Sequence, residues 1–125
     1  MTKKKILVVD DEVPVTKLLK LILERSGRYE IRCENAGAQA VSAAKSYRPD
    51  LVLLDVNLPD MEGGEISAAF QEDPVLKDIP IIFLTGLVSA EEMKSGLTIR
   101  GRPALAKPID AGRLIDCVEK NLPAG

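Results

Sequence analysis

The sequence contains no histidine and no tryptophan, and only 3% of its residues are aromatic. Without histidine, the chain has no imidazole for acid-base catalysis and cannot itself carry a phosphohistidine. Any histidine chemistry in its function must therefore come from a partner.

Cysteine, basic charge and long apolar runs are also scarce. Cys33 and Cys117 lie far apart without CxxC spacing, which disfavours a zinc site or a disulfide framework. The net charge of -2 disfavours direct nucleic-acid binding. No apolar run approaches the roughly 20 residues of a membrane span, and the start MTKKKILVVDDE lacks the apolar core of a secretory signal. We therefore expect a cytoplasmic protein that contacts neither nucleic acid nor membrane directly.

The length of 125 residues is typical of one domain with a single core. No linker or low-complexity stretch divides the chain, and 46% hydrophobic with 29% charged residues is an ordinary globular composition. We expect residues 1–125 to form a single domain.

Short apolar runs alternate with helix-like segments along the chain. The predicted strands are residues 5–9, 29–33, 51–54, 81–84 and 104–106. Strands separated by helices need crossover connections, which favours a mostly parallel sheet covered on both faces. The pattern therefore predicts five strand-helix units of the α/β class.

The intervening segments carry helix periodicity and capping residues. The first helix has a predicted apolar stripe at Val15, Leu18, Leu19, Ile22 and Leu23. Asn35 is the predicted cap of a second helix whose apolar face is Ala36, Ala40, Val41 and Ala44. Gly63 and Gly64 open a third helix, and Ser89 with Glu92 forms a capping box for a short fourth helix ending near Gly96. Asp110 caps a fifth helix whose apolar side is Leu114, Ile115, Val118 and Leu122.

Polar residues end several of the apolar runs. They are Asp10, Asp11 and Glu12 after the first strand, Asp55 after the third, Thr85 after the fourth and Lys107 after the fifth. In doubly wound sheets, ligands bind at the carboxyl ends of the strands, so these groups should share one edge. Two carboxylates about 4 Å apart repel by roughly 4 kcal/mol at an effective dielectric of about 20, which favours a compensating cation. Hard oxygen ligands without histidine or thiolate favour Mg²⁺.

A carboxylate beside Mg²⁺ and a lysine can accept a phosphoryl group as a nucleophile. Asp55 is the best candidate because of its central strand. Each residue also has an ordinary structural interpretation, since an acid pair after a strand is about as often a helix cap as a metal ligand, and Lys107 could be a surface lysine. The joint occurrence of these residues, in order and at strand ends, favours the functional interpretation.

Four segments, ILVVDDE, LVLLDVNLPDMEGGE, IIFLTG and ALAKPI, occur in that order. They resemble the signature blocks of bacterial two-component response-regulator receiver domains of the chemotaxis-regulator type, and the resemblance covers essentially the whole chain. It implies a flavodoxin-like, doubly wound, five-stranded parallel sheet in the order 2-1-3-4-5, with five helices in three α/β/α layers. Receiver proteins are themselves a known example of this strand order.

The resemblance also implies roles for individual residues. The implied ligands of Mg²⁺ are Asp10, Asp11, Asp55 and the backbone carbonyl of Asn57. Asp55 is then the phosphoacceptor, Thr85 the switch hydroxyl and Lys107 the lysine that contacts the phosphoryl group. The Lys107-Pro108 peptide bond is expected to be cis.

A receiver of this kind accepts its phosphoryl group from a sensor histidine kinase or a histidine phosphotransfer protein, which agrees with the absence of histidine here. It is a switch rather than an enzyme, because it catalyses only its own phosphorylation and dephosphorylation. It acts on a downstream protein partner, or on an output domain that has been removed. One departure is Ala104, where the family usually has a tyrosine or phenylalanine that moves on activation.

Two alternatives remain open at the level of sequence. One is an interaction module of the same fold that is never phosphorylated. The other is a Mg²⁺-dependent phosphatase of the haloacid-dehalogenase type, which needs a DxD motif after its first strand. The adjacent Asp10 and Asp11 do not form that motif.

Overall fold

A computed structural model describes residues 3–86, 98–99 and 101–123 of the chain. The strands are β1 (Lys4–Val9), β2 (Tyr29–Glu34), β3 (Leu51–Asp55), β4 (Ile81–Thr85), β5 (Thr98–Ile99) and β6 (Arg102–Ala106). The helices are α1 (Val13–Glu24), α2 (Ala40–Tyr47), α3 (Gly63–Glu72) and α4 (Ala111–Asn121), and a 3₁₀ turn at Gly37–Gln39 precedes α2. The helix predicted between Ser89 and Gly96 lies outside the described residues.

The strands form one sheet in the order β2-β1-β3-β4-β6-β5. The first five strands in that order are parallel to one another. Because β6 contains the strand predicted as the fifth, this confirms the predicted order 2-1-3-4-5. The short antiparallel strand β5 was not predicted. It pairs Thr98 with Pro103 and Ile99 with Arg102, so β6 begins two residues before the predicted start at Ala104. Gly101 has a φ of 77° in the connecting turn, a conformation that glycine adopts at little cost.

Two apolar cores, one on each face of the sheet, confirm the three-layer α/β/α arrangement. Helices α1 and α4 cover one face through Leu19, Leu23, Leu114 and Val118. Helices α2 and α3 cover the other face through Ala40, Ala43, Ala44, Ile66 and Phe70. Strands β3 and β4 are buried along their whole length, as expected for central strands of a parallel sheet.

The buried stripe of α1 differs from the predicted one. Leu19 and Leu23 are buried, and Thr16 shares their side of the helix. The prediction that Leu18 belongs to this stripe was wrong, because its side chain is 47% exposed. Leu21 is also exposed, at 62%. Together with Pro14, these residues follow i, i+4, i+7 spacing and leave an apolar strip of α1 facing outward.

Two of the predicted helix caps lie within the described residues, and they had different outcomes. Asp110 caps α4, since its Oδ2 accepts a hydrogen bond from Arg113 N at 2.9 Å. Asn35 does not cap α2. Its amide nitrogen Nδ2 instead donates to Asp10 O at 2.8 Å and to Thr16 Oγ1 at 3.2 Å. A polar residue before a helix is therefore used here for a tertiary contact.

Arg48 ends α2 in a left-handed conformation, with φ 53° and ψ 64°, and its N–H donates to Ala44 O at 2.8 Å. Because glycine has no Cβ to strain in this region, Arg48→Gly should raise the free energy of unfolding by about 0.5–1 kcal/mol. Urea denaturation followed by circular dichroism would measure the change. Arg48→Ala is the control, because it removes the side chain but keeps Cβ. A glycine variant no more stable than the alanine variant would contradict the prediction.

Candidate functional site

The strand register brings the predicted site residues to one edge of the sheet. Val9 is level with Leu54, Asp55 with Leu84, and Thr85 with Ala106. The residues at or just after these strand ends are Asp10, Asp55, Thr85 and Lys107. The tertiary structure thus places side by side groups that are up to 97 residues apart in the printed sequence.

Four carboxylates form the centre of this edge. One oxygen from each of Asp10, Asp11, Glu12 and Asp55 lies within 4.8 Å of the others. Asp10 and Asp55 are buried, at 0% and 4% exposure, whereas Asp11 and Glu12 are exposed. The cluster is therefore a pocket with a buried floor and an open acidic rim.

Among the described residues, Lys107 is the cation that forms ion pairs with this cluster. Its Nζ lies 2.9 Å from Asp10 Oδ2, 3.0 Å from Glu12 Oε1 and 3.4 Å from Asp55 Oδ2. Burial lowers the pKa of Lys107, but the facing carboxylates outweigh that effect and raise the pKa above its ordinary value. The lysine is consequently charged at any physiological pH. The contact with Glu12 was not predicted, although Glu12 directly follows the acid pair.

Asp10 provides a test of whether the pocket suits a metal ion. Its Oδ1 accepts a hydrogen bond from Glu12 N at 2.9 Å. Its buried Oδ2 forms an ion pair with Lys107 but has no hydrogen bond in the described part of the chain. A buried carboxylate oxygen with this spare capacity, next to three further carboxylates, fits a hard divalent cation such as Mg²⁺.

Asp55 lies at the end of β3 in a poorly solvated position. Burial raises the pKa of Asp55, and the neighbouring charge of Asp10 adds to that effect. The N–H of Asn57, which donates to Asp55 Oδ1 at 3.1 Å, and the charge of Lys107 act in the opposite direction. A further cation placed beside Asp55 would therefore stabilise its ionised carboxylate.

The remaining predicted residues surround Asp55. Thr85 is buried at the end of β4, and its carbonyl oxygen accepts a hydrogen bond from Lys107 N at 2.8 Å. The peptide bond between Lys107 and Pro108 is cis, as expected. Asn57 is exposed in the loop after β3, where it forms an antiparallel bridge with Glu62.

Ala104 is level with Phe83 in the neighbouring strand and is 8% exposed. It belongs to the core on the α2 and α3 face, against which Ile99 of β5 also packs. A small side chain therefore occupies the site where an aromatic residue was the family expectation, and the unpredicted strand β5 pairs with the two residues that precede it in β6.

The chain matches the family model described as the response regulator receiver domain over residues 6–119. It belongs to that family. The polar-differentiation response regulator DivK of Brucella anthropi is 32% identical over 123 residues, covering 95% of this chain and 96% of that protein. The phosphate regulon transcriptional regulatory protein PhoB of Pseudomonas aeruginosa is 34% identical over 115 residues, covering 92% of this chain and 50% of that protein.

Solved structures agree with the family assignment. The chemotaxis response regulator CheY4 of Vibrio cholerae superposes with a TM-score of 0.82 at 29% identity, covering 97% of this chain and 100% of that one. The protein is thus a receiver domain, a signalling module rather than an enzyme, with an acidic pocket that Lys107 faces. None of the helices in the described part of the chain has both the length and the apolar character that a membrane span requires.

Proposed function

We propose that this receiver accepts a phosphoryl group on Asp55 and acts as a phosphorylation-dependent switch in the cytoplasm, as a single domain spanning residues 1–125. The observation that carries the proposal is the buried Asp55 carboxylate, with Lys107 Nζ 3.4 Å from its Oδ2. Asp10, Asp11, Asp55 and the backbone carbonyl of Asn57 are the proposed ligands of Mg²⁺. When bound, Mg²⁺ would neutralise negative charge on the phosphoryl oxygens.

The transfer itself needs a nucleophile and charge stabilisation. An oxygen of Asp55 forms the new bond to phosphorus, and the bond from phosphorus to the donor's imidazole nitrogen breaks. The nitrogen keeps the electron pair, and because the other ring nitrogen of the phosphohistidine carries a proton during the transfer, the donor leaves as neutral imidazole. Lys107 holds a positive charge beside the transferring oxygens, and the Thr85 hydroxyl donates to one of them in the product.

The donor is a phosphohistidine on a sensor histidine kinase or a histidine phosphotransfer protein, because this chain contains no histidine. That partner must approach the edge of the sheet where Asp55 lies. Helix α1 starts one residue after Glu12, at the rim of the acidic pocket, and presents exposed Leu18 and Leu21. We propose this apolar strip of α1 as the surface on which the donor docks.

Phosphorylation acts as a switch through the new charge beside Lys107 and Thr85. A full reversal of a two-state population, from 1:99 to 99:1, needs about 5.5 kcal/mol of differential interaction. The ion pairs from Lys107 to Asp10 and Glu12 are contacts that a phosphoryl group can redistribute. A downstream protein, or an output domain in a longer chain, would recognise the altered surface.

The direct test uses acetyl phosphate as donor, with and without Mg²⁺, and intact mass as the measurement, because the chain has no tryptophan for fluorescence. We expect a single labile phosphoryl adduct that requires Mg²⁺ and is absent in Asp55→Asn. An undiminished adduct in that variant would exclude Asp55 as the acceptor. If the parent formed no adduct and bound no beryllofluoride, an unphosphorylated interaction module would be the better interpretation.

A further inference from the structure

The loop between β3 and α3, residues 56–62, carries the proposed metal ligand Asn57. Part of its shape is set locally. Asn57 bridges Glu62 across the loop, Gly63 N donates to Val56 O at 2.9 Å, and the Leu58 side chain is buried. These contacts close the loop on itself, but they do not determine how far it lies from Asp10 on the other side of the pocket.

Asp60 connects this loop to a different part of the chain. Its Oδ1 accepts a hydrogen bond from Gly37 N at 2.9 Å, and its Oδ2 accepts one from Ala38 N at 2.8 Å. Gly37 and Ala38 are the first two residues of the 3₁₀ turn, and the side chain of the preceding Ala36 does not cap that turn. These two backbone N–H groups lower the pKa of Asp60, so its carboxylate is charged throughout the physiological range.

The contact requires a close approach of the two segments. A Cβ on Gly37 would lie 3.0 Å from Asp60 Oδ1, 3.1 Å from Leu58 Cδ1 and 3.1 Å from Met61 Cβ. These distances are tighter than ordinary contacts, and all three atoms belong to the loop that carries Asn57. Glycine at position 37 thus lets the loop lie directly against the 3₁₀ turn.

The same short segment is also bonded to the opposite wall of the pocket. Asn35 Nδ2 donates to Asp10 O at 2.8 Å, and Asp10 N donates to Glu34 O at 3.1 Å. Residues 34–38 therefore join the backbone of Asp10 at one end to the Asp60 carboxylate at the other. We call this segment, with the Asn35 and Asp60 side chains, the brace.

We propose that Asp60 and Asn35 are positioning residues for the metal site: through residues 34–38 they hold the loop bearing Asn57 at a set distance from Asp10. This inference rests on the proposed function, because it assumes that Asp10 and the Asn57 carbonyl bind the same Mg²⁺. Neither Asp60 nor Asn35 would itself be a ligand of the ion, since their hydrogen bonds are with other parts of the chain. Without either side chain, the distance between Asp10 and the loop that carries Asn57 is no longer fixed. Groups that orient metal ligands typically contribute about 10- to 100-fold to metal affinity.

The test measures Mg²⁺ binding by isothermal titration calorimetry, independently of phosphorylation. Asp60→Ala should raise the Kd for Mg²⁺ about tenfold, and Asn35→Ala should raise it in the same direction. If Asp60→Ala does not fold, Asp60→Asn, which keeps one acceptor oxygen, tests the same claim. The labelling rate with acetyl phosphate should approach the parental rate once Mg²⁺ is saturating.

Asp73→Ala is the matched control. Asp73 Oδ1 also accepts a backbone hydrogen bond, from Val75 N at 2.8 Å, and neighbouring N–H groups likewise lower its pKa, but it lies at the far end of α3. We expect this variant to lose thermal stability without any change in the Kd for Mg²⁺. If the Kd for Mg²⁺ rose equally in Asp60→Ala and Asp73→Ala, or stayed parental in Asp60→Ala, the positioning role of the brace would be contradicted. The proposed function would be unaffected. A parent that binds no Mg²⁺ would overturn both.

Discussion

Replacing Lys107 with methionine should lower the free energy of unfolding by about 2 kcal/mol without Mg²⁺, and added Mg²⁺ should restore most of that loss. Lys107 forms ion pairs with Asp10, Glu12 and Asp55, and its side chain is only 18% exposed. Removing one partner of a fully buried ion pair costs about 3–5 kcal/mol, because the other charge stays buried and unpaired. We expect a smaller loss here because the pocket is open at its rim.

Recovery with Mg²⁺ follows from the same electrostatics. An ion that binds the folded state stabilises it by mass action, and the carboxylates of the variant are no longer neutralised by an ammonium group. The variant should therefore gain more stability from Mg²⁺ than the parent does. Urea denaturation at several Mg²⁺ concentrations, followed by circular dichroism, would measure both effects.

Lys45→Met provides the control for the loss of a lysine. Lys45 Nζ pairs with Asp73 Oδ2 at 3.1 Å, but its side chain is 55% exposed, so solvent screening should leave this pair with little effect on stability. Its effect should not depend on Mg²⁺. If Lys107→Met were no less stable than Lys45→Met, or did not respond to Mg²⁺, Lys107 would not be the main counter-charge of the pocket.

Leu21→Asp should slow phosphoryl transfer from a histidine kinase at least about tenfold while leaving labelling by acetyl phosphate unchanged. Leu21 is 62% exposed on α1, on the strip that starts beside the acidic pocket. Burying a neutral polar group without a partner costs roughly 1–3 kcal/mol, and an unpaired carboxylate in an apolar protein contact costs more. A small donor reaches Asp55 without touching this strip.

The measurement uses a purified, autophosphorylated histidine kinase chosen because it labels the parent protein. Val75→Asp is the matched control, since Val75 is also an exposed apolar residue, at 49%, but follows α3 on the other face of the sheet. We expect it to accept phosphoryl groups at the parental rate from both donors. Equal slowing in both variants, or none in Leu21→Asp, would argue against docking on α1.

The elements that could be predicted from sequence are those with a strong local pattern. The buried runs ILVV, LVLL and IIFL are strands because β-branched and apolar residues covered on both faces leave few other options. The α4 cap at Asp110 is a contact within four residues of chain, so its chemistry is visible locally. The errors at Leu18 and Asn35 arose because the local pattern was compatible with more than one environment for each residue, and the packing of other segments selected between them.

The sequence alone determined that the chain has no histidine. It also determined that acidic residues and a lysine share one edge of the sheet, because parallel strands bring their carboxyl ends to the same edge. Only the tertiary structure decided that Glu12 shares Lys107 with Asp10 and Asp55, that β5 pairs with the start of β6, and that Asp60 bonds to Gly37 and Ala38. The physical reason is sequence separation. Asp60 and Gly37 are 23 residues apart, and Lys107 and Glu12 are 95 apart, so no local periodicity or capping rule connects them. Such pairs form only when the packed sheet sets the distance between two loops.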